Sequence, residues 1–261
     1  MTGPEFPIAF QEQGNGPAIV FLHGVGGASG VWQDQLETFA PDYRAIAWDM
    51  PGYGNSPPLA NPDFASLAHS LAHLLDHLGL HRPHIVGHSL GGMVAQEFMA
   101  LYPDRATSLV LSATSPAFGK PDGDFQKKFV AARLGTLDAG GAMADVAAEV
   151  VPGMFGDTAN PHGMDIARNC MSRVSPDTYR AMIKCLVTFD RREALGDIKV
   201  PCLVLAGGND TSAPAAMMER MAGRIAGADY VCLAGLGHLA NLENPIAFNS
   251  AIRHFLDRFD T

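Results

Sequence analysis

The sequence predicts an α/β fold: a mainly parallel sheet with helices on both faces, interrupted once by a helical insertion. Three observations carry this. Short apolar runs of strand composition alternate with segments of helical period from about residue 18 to 114, and the alternation resumes at Pro201. One strand, at Ile85-Val86, runs directly into Gly87-His88-Ser89-Leu90-Gly91-Gly92 and then a helix-compatible stretch from Met93 to Leu101. Between about Pro116 and Leu195 no run of β-branched residues occurs.

In chain order, Phe6 to Gln11 starts a small antiparallel edge. Ala18 to Leu22 is a buried strand ending in His23-Gly24-Val25-Gly26-Gly27. Val31 to Ala40 is a helix, Tyr43 to Trp48 a strand, and Phe64 to Leu78 a helix stopped at Gly79. Ser108 to Leu111 is the next strand. The insertion contains four helical segments, Asp124 to Leu137, Gly141 to Val151, Asp165 to Arg173 and Pro176 to Phe189. Clusters such as Pro152-Gly153 and Asn160-Pro161-His162-Gly163 separate them. Cys202 to Gly207 and Ala228 to Leu233 are strands. Asn244-Pro245 starts a final helix to about Phe259, with a side-chain cap followed by proline at the first helical position.

The Gly-x-Ser-x-Gly between strand and helix is the pattern of a nucleophile elbow. On so tight a turn the Ser89 backbone is strained and its Oγ stands clear of the sheet. A Cβ at Gly87 or Gly91 would clash across the turn, and Gly92 lets the following helix approach. A nucleophilic serine needs a base and an orienting acid. The ends of the two later strands offer Asp210, after Gly207-Gly208-Asn209, and His238, after Gly235-Leu236-Gly237. Acyl transfer also needs donors for a developing oxyanion. The candidates are the N–H of Leu90, at the start of a helix, and the N–H of Val25, in the glycine-rich loop. The chain order Ser89, Asp210, His238 is that of one hydrolase architecture. The strand Ser108 to Leu111 ends in Ser112-Ala113-Thr114, so no carboxylate there rivals Asp210.

On these residues, together with Trp48 to Ser56, Val200-Pro201, and Gly237-His238 followed by Glu243-Asn244-Pro245, the chain resembles α/β-hydrolase fold proteins. It is similar to 3-oxoadipate enol-lactonases within the ester, lactone and carbon–carbon bond hydrolase group. The resemblance implies a mainly parallel eight-stranded sheet, with residues 1–115 and 196–261 as the core. It also implies a helical cap over residues 116–195, inserted after the sixth strand. It implies hydrolysis of a small ester or lactone through Ser89, His238 and Asp210, without a cofactor. Trp32, Met154, Phe155, Phe189 and Leu239 are candidates for contact with substrate, with packing under the oxyanion loop the alternative for Trp32. Relatives that cleave ring-fission diketones carry a proline in the oxyanion loop and a tryptophan after the catalytic histidine; Gly27 and Leu239 depart from both. Relatives with aspartate at the elbow, the dehalogenases and epoxide hydrolases, are disfavoured by Ser89. A non-catalytic receptor on the same fold is a third reading, and turnover of a simple ester would dismiss it. Perhydrolase and acyltransferase chemistry use the same three residues.

Of 261 residues, 47% are hydrophobic and 17% charged, and the formal net charge is −9. That charge argues against nucleic acid and anionic membranes as partners and leaves a small molecule, with a homodimer left open. Four cysteines, Cys170, Cys185, Cys202 and Cys232, show no Cys-x-x-Cys spacing; the first and second fall in predicted helices, the others in predicted buried strands. This usage fits a reducing compartment, and with no Sec-type signal in residues 1–10 the expectation is a cytoplasmic protein. His69, His73 and His77 recur at helical spacing, with His81 and His84 beyond, but no H-E-x-x-H accompanies them; they read as a solvated stripe, with no metal expected. His88 reads as packing at the elbow.

Overall fold

The structure is a computed structural model that describes residues 8–120, 122–157 and 160–259. Seven strands form one sheet: β1 (Phe10–Gln13), β2 (Ala18–Leu22), β3 (Arg44–Trp48), β4 (His84–His88), β5 (Ser108–Ser112), β6 (Cys202–Gly207) and β7 (Asp229–Leu233). Their order is β1-β3-β2-β4-β5-β6-β7, and only β1 runs antiparallel. The expected count of eight is therefore corrected to seven among the described residues. The antiparallel edge is a single strand beginning at Phe10, and Phe6 and Pro7 lie outside the described residues.

Every residue of β4, β5 and β6 is buried, as a parallel sheet covered on both faces requires. Cys202 sits in this buried centre. Cys232, expected in a buried strand, is exposed, because β7 is the sheet's edge and is only half covered.

The helices are α1 (Gln33–Phe39), α2 (Phe64–His77), α3 (Leu90–Leu101), α4 (Asp124–Asp138), α5 (Met143–Val150), α6 (Pro161–Ser172), α7 (Pro176–Leu186), α8 (Ala215–Ala222), α9 (Ala240–Glu243) and α10 (Pro245–Leu256). The chain leaves β2 toward one edge to form β3, then returns past β2 to β4 and proceeds toward the other edge. Right-handed crossovers then put α1 on one face and α2, α3 and α8 on the other. Consistent with this, α1 packs against α10, and α2 against α3. The reversal falls between β2 and β4, so the loops leaving those strands flank the switch-point crevice where such sheets bind ligands.

Helices α4 to α7 are inserted after the fifth strand of the seven. The insertion's two ends are clasped: Ala117 pairs with Asp190, Phe118 N–H donates to Phe189 O at 2.9 Å, and Arg191 N–H to Pro116 O at 2.8 Å. Arg191 also places two guanidinium N–H groups on the buried carboxylate of Glu97 in α3, each at 2.5 Å. Helix α6 begins at Pro161, four residues before its expected start. The cluster expected to separate helices is itself a start signal, with Asn160 accepting from Gly163 N–H and Pro161 at the first position.

Candidate active site

The elbow is built by β4 and α3. Ser89 joins them with φ 53° and ψ −118°, a conformation that costs a non-glycine residue about 1–3 kcal/mol. Surrounding bonds hold it there. Its N–H donates to Ser112 O at 2.9 Å, extending the β4–β5 ladder, and its carbonyl accepts from Gly92 N–H at 3.0 Å and Thr114 Oγ1 at 2.7 Å. A Cβ on Gly87 would lie 2.6 Å from Gly91 O, and one on Gly91 would lie 2.3 Å from Leu22 O.

The loops after β6 and β7 bring Asp210 and His238 to this turn. His238 Nδ1 lies 2.7 Å from Asp210 Oδ2, and His238 Nε2 lies 3.0 Å from Ser89 Oγ. A carboxylate can only accept, so Nδ1 carries the proton and Nε2 is left to accept from the serine. The second carboxylate oxygen, Oδ1, accepts from the N–H groups of Ser212 at 2.7 Å and Ala213 at 2.9 Å. Burial works to raise the Asp210 pKa, but the neighbouring imidazole and these donors outweigh it and hold the carboxyl below its ordinary range.

Two further buried groups set the loops. His23 accepts from Met50 N–H through Nε2 at 3.0 Å, so its Nδ1–H donates to Gly24 O at 2.8 Å and ties down the glycine-rich loop. Burial drives its pKa down to about 4 against that hydrogen bond, so it is a neutral strut at physiological pH. The buried Glu243 of α9 accepts from Gly237 N–H at 2.7 Å and from Gly156 N–H at 3.0 Å, and so joins the histidine's loop to the insertion. Leu239 N–H donates to Met154 O at 3.1 Å, a second stitch across the same seam. Sequence reasoning passed over His23 and Glu243. Glu243 appeared only as part of a family match, because a lone acid in a four-residue helix has no pattern of its own.

A cavity of about 500 Å³ opens over Ser89 and His238, walled largely by apolar groups, those of α4 and α7 among them, and a recess of about 30 Å³ lies on another side of Ser89. Val25 lines both spaces. Leu90 opens α3, so its N–H has no carbonyl partner within the helix. Met154 borders both spaces and Leu239 the recess. The other three candidates line neither space. Trp32 is fully buried against Phe21, His88 and Phe248. Phe189 is buried with its ring 4.5 Å from that of Phe64, at the neck of the insertion. Phe155 is buried and does not border the cavity, because the stitches at Met154 and Gly156 turn this segment into the seam.

His88 is buried with its ring 5.0 Å from that of His238; burial first, then the neighbouring imidazole, lowers its pKa to about 3. In the histidine stripe, His69 Nδ1 lies 2.6 Å from the Tyr102 hydroxyl and the buried His84 Nδ1 2.8 Å from Ser108 Oγ. Among the described residues no group of three or more His, Cys, Asp or Glu side chains could hold a metal ion. Nor is any helix among them long and apolar enough to cross a membrane.

Residues 19–251 match the model of the alpha/beta hydrolase family. This chain belongs to that family. As an alpha/beta hydrolase it is 30% identical over 252 residues to a protein of Pseudomonas syringae pv. syringae named by inference as the carbamate hydrolase RutD, covering 94% of this chain and 95% of that one. Its structure resembles a thermophilic esterase from Thermogutta terrifontis, with a TM-score of 0.89 and 28% identity over 97% of this chain and 94% of the other. It also resembles the enol-lactonase from Burkholderia xenovorans LB400, with a TM-score of 0.86 and 26% identity over 96% of each chain. A hydrolytic role for this alpha/beta hydrolase accords with all three.

Proposed function

We propose that the protein is a serine hydrolase that cleaves a small ester or lactone through an acyl-enzyme. The observation that carries this is the hydrogen-bonded series Ser89–His238–Asp210 at the base of a largely apolar cavity. In this reading His238 Nε2 takes the Ser89 proton as Oγ attacks the acyl carbon. Asp210 orients the imidazole and stabilises its cationic form. The N–H groups of Val25 and Leu90 receive the oxyanion, a contribution of about 3 kcal/mol per donor in comparable sites. The imidazolium then protonates the leaving oxygen and, once neutral, activates a water to release the acid. Residues 116–195 act as a cap that shapes the cavity, and residues 1–115 and 196–261 as the core that carries the chemistry.

Carbamates are a second reading. They present the same attackable carbonyl, and the RutD relatives support including them. Ring-fission diketones need a site that also manages ketonisation, and Gly27 and Leu239 depart from the residues their hydrolases use. The test is a side-by-side panel of short esters, small lactones, carbamates and ring-fission diketones, with Ser89→Ala as control. The expected result is the highest kcat/KM on an ester or lactone and loss of that turnover in Ser89→Ala. A diketone turned over faster than every ester and lactone would overturn the reading.

A further inference from the structure

The charge of the cavity wall runs opposite to that of the molecule. The chain carries 27 acidic against 18 basic Lys and Arg residues. Yet among the described residues no carboxylate side chain lines the cavity above Ser89, and apart from His238 the only ionisable cation on its wall is Arg133 of α4. Arg133 is half-buried. Its guanidinium lies 5.3 Å from the ring centroid of Phe129, one helical turn earlier, and beside the hydroxyl of the buried Tyr179. Among the described residues it has no ion-pair partner; nine other arginines do. The nearby acid, Glu149, is exposed and accepts instead from Thr136 Oγ1 at 2.6 Å.

A guanidinium held between an aromatic face and a phenol, in an apolar wall, is preorganised to receive an anion. Its planar fork suits a carboxylate, and the low-dielectric surroundings strengthen the pair relative to one on the open surface. The rest of the wall supplies apolar contact, in keeping with a ligand whose charge sits at one end only.

We propose that Arg133 is the recognition site for a carboxylate remote from the scissile carbonyl, so that the substrate is an ester or lactone of a dicarboxylic or carboxyalkyl skeleton. This rests on the serine-hydrolase reading, and the experiment separates the two. Monoethyl adipate and ethyl heptanoate are compared as anionic and neutral esters of similar length. In the parent protein kcat/KM favours monoethyl adipate. In Arg133→Met the ratio of the two kcat/KM values falls at least tenfold, mostly through KM, and Arg133→Lys keeps part of it. A ratio within twofold of the parent's in Arg133→Met overturns the anion site while leaving the hydrolase reading intact. Calorimetric titration of Ser89→Ala with monoethyl adipate reads the site without turnover. Adding Arg133→Met should weaken that affinity at least tenfold. If neither ester is hydrolysed but this contrast holds, the hydrolase reading fails and the anion site stands; equal affinity in both proteins, or binding in neither, overturns the site.

Discussion

At the scale of single residues, Asp210 shows how one side chain holds two tasks. Oδ1 is bound by the backbone of its own loop and Oδ2 faces His238, so the carboxylate is oriented before any substrate arrives. Asn in its place could keep the loop contacts through its carbonyl oxygen. Its amide nitrogen, however, would donate to Nδ1 and push the imidazole proton to Nε2, the atom that accepts from Ser89 in the proposed mechanism. Asp210→Asn should therefore lower ester turnover by about 10³- to 10⁴-fold while the fold persists. Turnover within a few-fold of the parent, measured on the best ester, would show that another carboxylate orients His238. These three residues were legible in the sequence because each stands at a strand end beside glycines that only a tight turn demands. Glu243, His23 and Arg133 were not. Their roles depend on partners far away in the chain, and no local spacing announces a carboxylate that bridges Gly156 and Gly237.

At the scale of elements, the alternation of strands and helices was readable wherever apolar period and turn chemistry agreed. It failed where they conflicted. Asn160-Pro161 reads as a break in a region of breaks, yet it caps α6 as Asn244-Pro245 caps α10. The choice of cavity residues failed for a related reason. Sequence period assigns a residue to a helix but not a helix face to a cavity, so Met154 and Phe155 looked equivalent. Met154 borders the open space, whereas Phe155 faces into packing. The two substitutions should separate accordingly. Met154→Ala should change the ranking of KM values among esters of different acyl length with little loss of stability. Phe155→Ala should lower the melting temperature through a cavity cost of about 3 kcal/mol, with the ranking kept. Thermal melts and an ester series on both variants decide this, and a changed ranking in Phe155→Ala alone would reverse the assignment.

At the scale of the whole molecule, two buried imidazoles join folding to pH. His23 and His88 are held neutral, with pKa values near 4 and near 3, whereas in the unfolded chain both return to about 6.5. Between those limits the unfolded state binds protons that the native state refuses, so stability rises with pH there and falls as the solution is acidified. The loss should begin as pH drops through about 6.5 and continue to about 4 for His23 and about 3 for His88. Asp210 acts in a lower window. Its folded pKa lies below that of an ordinary aspartate, so its contribution is present above about 4 and is lost only at more acid pH. Denaturant midpoints measured from pH 7.5 to 4.5 should thus decline as the protonation of His23 and His88 favours the unfolded chain. His88→Phe keeps an aromatic ring beside Trp32 and removes one of these two buried imidazoles. Its midpoint should fall less steeply over that range than the parent's, even if the variant starts from a lower value at pH 7.5. Parallel declines in the two proteins would mean that His88 takes up its proton without unfolding the chain, and that the cost of its burial is met by something other than neutrality.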